Sequence, residues 1–267
     1  MLIFYLCAVK ATLIISVYKD VSALEAVLRS VVLQKEKDFE VIVSQDCDDP
    51  CFDRLIEKYR SSFPIKHLQQ ADEGFLKTKM LNKAIRASET NRLIFIDGDC
   101  VLHPRFIQQY VRYIQEGRVC VARRVNLDAA TSLKIRNGEK TIPGYLEMIR
   151  NKSTSVEESF PLWSLLQRKI VPLLGSNMGW HKADLIKING FDESYVNPGF
   201  GEDTDIEFRA KKAGIVPFST RYKTIQYHLF HERPNRENLV KISKDQFLEK
   251  MKREDYRCQF GLETLEA

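Results

Sequence analysis

Four short apolar runs alternate with helical patterns through the first half of the chain, and this rhythm restricts the fold more than any other feature. Ala11 to Val17 is β-branched and apolar and reads as a buried strand; Phe39 to Ser44 reads as a second, Ile65 to Leu68 as a weak third and Leu93 to Ile96 as a fourth. Between them, Leu24, Val27, Leu28, Val31 and Val32 recur at helical spacing behind Ser22, a suitable cap. Phe52 to Ser61 reads as a short helix, and Lys77 to Ser88 as a helix with Met80, Leu81, Ala84 and Ile85 inward. Pro104 opens a helix through Ile114, and Val119 to Arg123 is another strand. Strand and helix in alternation predict a parallel α/β sheet with right-handed crossovers. Each strand ends in polar or acidic residues, so Tyr18, Asp20, Asp46, Asp97 and Asp99 gather at one edge. Open α/β sheets bind nucleotide-sized ligands at that edge.

The sharpest of these ends is Ile94-Phe95-Ile96-Asp97-Gly98-Asp99. Two carboxylates separated by one glycine repel each other, and a divalent cation relieves the repulsion while gripping a diphosphate. A plain turn with two solvated aspartates is the alternative. The 267 residues suffice for one large or two small domains. Lys and Arg number 41 against 36 Asp and Glu, a net charge of +5. That mild excess suits a phosphorylated ligand or an anionic membrane surface, and it gives no ground for a nucleic-acid partner. Six dispersed cysteines (Cys7, Cys47, Cys51, Cys100, Cys120, Cys258) contain no C-x-x-C pair and read as free thiols in a reducing compartment. Met1 to Val9 is apolar but too short to span a bilayer and lacks a leader's basic start, so a cytoplasmic protein is expected.

From Asn126 to Leu174 the alternation is lost. Trp163, Leu165, Leu166 and Ile170 with Arg168 and Lys169 form a basic amphipathic patch, either a helix packed on the core or a peripheral membrane contact. Gly175 to Asp205 is dense in motifs, and Ile206 to Ala213 continues it as a helix that Gly214 ends. Thr224 to Leu229 is a late strand carrying His228, with His231 just beyond, and a charged helix begins at Asn238.

Taken together these residues resemble family 2 glycosyltransferases of the GT-A fold. The resemblance is carried by Leu13-Ile14-Ile15-Ser16-Val17-Tyr18, by Leu28-Arg29-Ser30-Val31 with Gln34, by Asp38-Phe39-Glu40-Val41-Ile42-Val43 ending at Asp46, and by Ile96-Asp97-Gly98-Asp99, which looks like the family's DxD motif. Gly175-Ser176-Asn177, Gly190-Phe191-Asp192-Glu193 and Gly201-Glu202-Asp203-Thr204-Asp205 resemble the galactosyltransferase-type C-terminal segment shared with chondroitin polymerases.

The resemblance implies a Rossmann-like, mostly parallel sheet with a smaller acceptor-binding part. Residues 1–125 would be the nucleotide-sugar half and 126–267 the acceptor and catalytic half of one domain. It implies an inverting, metal-dependent transfer from a UDP-sugar to a glycan or lipid-linked glycan, in bacterial surface polysaccharide or lipopolysaccharide assembly. Ser16 and Tyr18 would hold the uridine and Asp46 would accept the uracil N–H. Lys79 would lie near the diphosphate and Asp97 at the ribose or metal-bound water. Asp99 and His228 would bind Mn²⁺ or Mg²⁺, with His231 as the substitute for His228. Asp203 would be the general base and Glu202 the acceptor-holding acid. Phe200 would wall the acceptor site, and Trp180 is either an acceptor platform or a packed aromatic. A different class remains open on the same residues: a non-catalytic nucleotide-sugar-binding subunit of a polysaccharide complex.

Overall fold

A computed structural model describes residues 9–162, 169–232 and 234–265. The first four strands are β1 (Ala11–Val17), β2 (Phe39–Gln45), β3 (Ile65–Gln69) and β4 (Arg92–Asp97). They stand in the order β3-β2-β1-β4, all parallel. Helices α1 (Val21–Val32), α2 (Cys51–Glu57) and α3 (Lys77–Ala87) make the connections. The alternation predicts this half, and the physical reason is visible in β1. Leu13 and Ile15 pack into one core, Ile14 into the core on the other face, and all three are fully buried. A strand covered on both faces is continuously apolar.

The short strand β5 (Cys100–Leu102) follows β4 directly, and α4 (Phe106–Tyr113) follows β5. Beyond β4 the main sheet takes in chain that sequence reasoning leaves unassigned. A strand at Asn177–His181, β8, pairs antiparallel with both β4 and β6 (Arg118–Val121), and β9 (Val216–Ser219) completes seven strands parallel to β6. Asn-Met-Gly-Trp-His has neither the β-branched content nor the alternation of a strand; it is one because two neighbours take its backbone groups. A second sheet, in the order β5-β10-β7, joins β5 to β10 (Gln226–His228) and β7 (Val125–Asn126). The middle of the chain holds α5 (Ala129–Arg136), α6 (Tyr145–Arg150) and a 3-10 turn at Val156–Ser159. The later helices are α7 (Lys182–Lys187), α8 (Glu202–Lys212) and α9 (Glu237–Met251). No helix among the described residues is long and apolar enough to cross a membrane. Of the expected basic patch, Trp163, Leu165, Leu166 and Arg168 lie outside the described residues, as do Met1 to Ala8.

The fold corrects one expectation and decides between two readings of another residue. The cap of α1 is Asp20, whose carboxylate accepts the Ala23 N–H at 3.0 Å, while the Ser22 hydroxyl donates to Asp20. Trp180 is no acceptor platform. It lies opposite Leu93 in the β4–β8 register, is 0 % exposed, and donates its indole N–H to the Met178 sulfur.

The C-terminal motifs also have structural work to do. Arg209 of α8, buried, donates to Asp205 at 2.7 Å and to the carbonyls of Ile188 (2.7 Å) and Gly190 (2.9 Å). Asn82 of α3 exchanges two hydrogen bonds with the Phe191 backbone, both at 2.9 Å. Gly190 sits at φ +70, and a Cβ there would come within 2.5 Å of the Asn82 Oδ1. This clasp ties α3, the end of α7 and α8 together; α8 itself begins at Glu202 rather than Ile206. Arg209→Ala leaves Asp205 buried without its cation, and loss of one partner of a buried pair costs about 3–5 kcal/mol. Urea unfolding should show a loss of that size at unchanged m-value; a loss under about 1 kcal/mol, the range of a surface pair, would mean the clasp is solvated.

Candidate active site

The ends of β1, β2 and β4 open into a cleft of about 670 Å³, within the usual range for a ligand site. Ser16, Tyr18, Asp46, Lys77, Asp97, Asp99, His231 and Arg236 line it. Gly98 sets its floor. Its N–H donates to the Ser16 carbonyl at 2.7 Å, and a Cβ on it would sit 2.5 Å from Val17 Cγ1. The turn therefore lies flat on β1, and the two aspartates that flank it acquire different neighbours.

Asp97 meets cations. Lys77 donates to its Oδ1 at 2.8 Å, and Arg124 lies 3.7 Å from its Oδ2. Asp99 meets histidines. Its Oδ2 is 3.2 Å from His228 Nε2 and 3.4 Å from His231 Nε2. The β5–β10 register sets Cys100 opposite His228, and the Leu229 N–H donates to the Asp99 carbonyl at 2.8 Å. One oxygen and two ring nitrogens so placed lie within 4.8 Å of one another, a group capable of holding a divalent cation. Both histidines belong to it, where either one alone was expected. Burial pushes the Asp99 carboxyl up; the hydrogen bond from His228 and the positive field of His228, Arg124 and His231 outweigh that and hold it well below the usual carboxylate range. An ionised carboxylate with two imidazoles is a donor set that suits a first-row transition cation better than Mg²⁺.

Lys77, not Lys79, is the lysine of the cleft. It opens α3, and two residues further on a helix side chain points to nearly the opposite face. Lys77 also lies 3.9 Å from Glu202, so it bridges the DxD turn and the start of α8. Burial opposes its charge, but Asp97, Glu202 and Asp203 keep its pKa raised. Glu202 is pushed up by burial; Lys77 opposes this, while Asp203 and Asp97 add to it. Asp203, half-buried, accepts the Gly175 N–H at 3.4 Å. The two acids stand behind Lys77 and are not among the residues lining the cleft. Phe200 turns away: its ring packs edge-on against Phe247 of α9 at 6.1 Å, with Lys244 over its face, and it contributes nothing to the cleft wall.

At the other end, Asp46 is 4 % exposed and accepts from Gln70 at 2.7 Å and from the Leu76 N–H at 2.9 Å. Burial nevertheless raises its pKa. Tyr18 is 51 % exposed, with the Lys19 ammonium 4.7 Å from its ring centroid. Sequence reasoning missed Lys77, Arg124 and Arg236. Lys77 had a signal, since it heads the helix that follows the third strand; Arg236 had none, because the loop before α9 reaches the cleft only through tertiary packing.

The family model for glycosyl transferase family 2 matches residues 12–172. The chain belongs to that family and is classed with the glycosyltransferase enzymes. It is 24% identical over 246 residues to the chondroitin synthase of Escherichia coli, a match covering 85% of this chain and 35% of that protein. It is 23% identical over 265 residues to the validoxylamine A glucosyltransferase of Streptomyces hygroscopicus subsp. jinggangensis, covering 90% of this chain and 60% of the other. The chain thus spans about a third of the length of the first relative and three-fifths of the second. Among solved structures it superposes on S. aureus TarS in complex with UDP-GlcNAc (TM-score 0.57, 19% identity, 85% of this chain and 60% of that chain). It also superposes on the mannosyltransferase PcManGT of Pyrobaculum calidifontis in complex with GDP-Man and Mn²⁺ (TM-score 0.58, 13% identity, 90% and 61%). At these identities the structures show a shared fold, a GT-A-like arrangement.

Proposed function

We propose that the chain is an inverting, metal-dependent transferase that moves a sugar from a UDP-sugar to a hydroxyl of a glycan acceptor, as in bacterial surface polysaccharide assembly. The observation that carries this reading is that the Asp99–His228–His231 cluster adjoins the cleft that Asp46 and Tyr18 also line. The TarS complex with UDP-GlcNAc and the relative named chondroitin synthase favour a UDP-sugar and a glycan acceptor.

In this reading Tyr18 offers its exposed ring to the base, and Asp46 accepts the ring N–H with lone pairs that Gln70 and Leu76 leave free. Ser16 adjoins the nucleoside and Asp97 the ribose. Asp99, His228 and His231 hold Mn²⁺, or Mg²⁺ less well. A bound cation would neutralise charge on the departing diphosphate. Lys77 and Arg124 face the same charge from the far side of Asp97. Asp203 takes the proton from the acceptor hydroxyl, and Glu202 orients that acceptor. The first 125 residues supply most donor contacts and the remainder the acceptor side, with His228 and His231 reaching back to the donor.

The purified chain with Mn²⁺, a panel of UDP- and GDP-sugars and oligosaccharide acceptors should release UDP and give product of inverted anomeric configuration by proton NMR. A retained configuration would contradict the mechanism. Tight UDP-sugar binding with no release under any acceptor would favour the non-catalytic subunit instead.

A further inference from the structure

A second concavity, of about 460 Å³, opens at the far end of the small sheet from the metal cluster. β5 and β10 run antiparallel, with Asp99 and His228 at one end and His103 and Ile225 at the other. Four residue steps separate Asp99 from His103, about 13 Å along a strand. The groove is therefore separate from the cleft that takes the donor, yet within reach of a chain of a few sugar rings.

Its lining is cationic. Lys35 comes from the end of α1, Arg105 from the corner before α4, and Lys223 from the loop before β10. No Asp or Glu is among the described residues that line it. Among the described residues, none of the three cations has a carboxylate within ion-pair distance. Glu36, next to Lys35 in the chain, pairs with Lys10, and Glu158 pairs with Arg221; Glu157 is near enough to act on Tyr222 but is not in the lining. The imidazole of His103, in the same lining, is lowered by burial and then by the fields of Arg105 and Lys35.

The three segments that carry the cations are cross-linked. Buried Gln34 donates to the His103 carbonyl at 3.0 Å and accepts the Ile107 N–H at 3.1 Å. The Lys35 N–H donates to the Pro104 carbonyl at 2.8 Å, and the His103 N–H to the Ile225 carbonyl at 3.1 Å. The Lys223 ammonium rests 4.6 Å from the Tyr113 ring centroid, which places that cation beside an aromatic wall. The backbones that carry the three cations share a common frame, and a cluster of cations with no carboxylate at ion-pair distance attracts an anionic ligand.

We propose that this groove is a second binding site, which takes the anionic groups of an acidic saccharide chain, carboxylate or phosphodiester, while its reacting end lies at the transfer centre. The assignment of that chain as acceptor rests on the transferase reading; the binding itself does not. Charged groups on the chain would meet Lys35, Arg105 and Lys223, and sugar rings would lie along Tyr113.

The test uses the full chain and its Lys35→Ala/Arg105→Ala/Lys223→Ala variant. All three side chains are at least partly exposed, so the fold should tolerate their loss. Fluorescence anisotropy at low salt follows four labelled probes: an oligogalacturonate, a phosphodiester-linked sugar oligomer, neutral maltohexaose and a single-stranded RNA of matched charge. UDP binding in Mn²⁺ is measured on the same samples. The wild type should bind at least one of the two acidic saccharides and prefer it to maltohexaose and RNA; which of them binds names the anion. The variant should bind that probe roughly tenfold more weakly, the sum of three partly exposed charge contacts, with UDP affinity unchanged. No binding of either acidic probe by the wild type, equal binding by the variant, or RNA bound as well as the saccharide would overturn the proposal. Failure of UDP binding with the saccharide result intact would count against the donor site alone.

Discussion

Asp203→Asn should lower the rate of transfer by roughly 10²–10⁴-fold, the range that removal of a general base produces, while UDP binding stays as in the wild type. The amide keeps the shape of the carboxylate, and its oxygen can still accept the Gly175 N–H that Asp203 accepts at 3.4 Å. Asp203 does not line the donor cleft, so the loss should fall on kcat and leave nucleotide affinity alone. Glu202→Gln is the informative companion. Glu202 lies 3.9 Å from Lys77, and burial raises its pKa. As the acceptor-holding acid, its replacement should raise the acceptor KM more than it lowers kcat. The reverse pattern, with Asp203→Asn near wild type and the kcat loss at Glu202→Gln, would move the base to Glu202, whose raised pKa suits that task.

The second large effect is expected at Asp99. Asp99→Ala removes the one carboxylate of the cluster and leaves the two imidazoles without the charge that balances a dication. Even loss of a partner outside the ligand shell typically costs 10–100-fold in metal affinity, so loss of the ligand itself should cost at least about 100-fold. Transfer should fall in parallel, because the departing diphosphate would then have only Lys77 and Arg124, and no metal ion, to offset its charge. His228→Ala should be nearly as severe, since His228 is 5 % exposed and held in the β5–β10 register. His231→Ala should be milder, because that ring is on the exposed side of the cluster and is held by its own loop. Asp97→Ala should separate from both. Asp97 is occupied by Lys77 and Arg124, so it should weaken the nucleotide more than the metal.

The first half of the fold is legible because buried parallel strands are written as continuous β-branched runs, as in Ala11 to Val17, and the helices between them keep a 3.6-residue period. The DxD turn is legible for the same reason: an apolar run stops at two acids. What comes later is decided by pairing rather than by propensity. Asn177–His181 becomes a central strand because β4 and β6 both need a partner. Trp180 is carried into the core with it. The late histidines were visible, but the β5–β10 register is what sets His228 beside Asp99, and the chain after β10 brings His231 to the same carboxylate. Lys79 was expected near the diphosphate from the family resemblance, yet it is Lys77, the first residue of α3 as the sequence also placed it, that lines the cleft. Phe200 was expected to wall the acceptor; it does not line the cleft, and it packs with Phe208 around Phe247 of α9.

Whether a cation at Asp99, His228 and His231 acts on a nucleotide sugar is tested most directly by UDP release from a UDP-sugar with Mn²⁺, Mg²⁺ or EDTA, for the wild type and Asp99→Ala side by side. Release should be fastest with Mn²⁺, slower with Mg²⁺ and absent with EDTA, and Asp99→Ala should be inactive with either metal while its far-ultraviolet circular dichroism matches the wild type. Turnover that EDTA does not touch, or a folded Asp99→Ala protein that still releases UDP at the wild-type rate, would contradict that role for the cation.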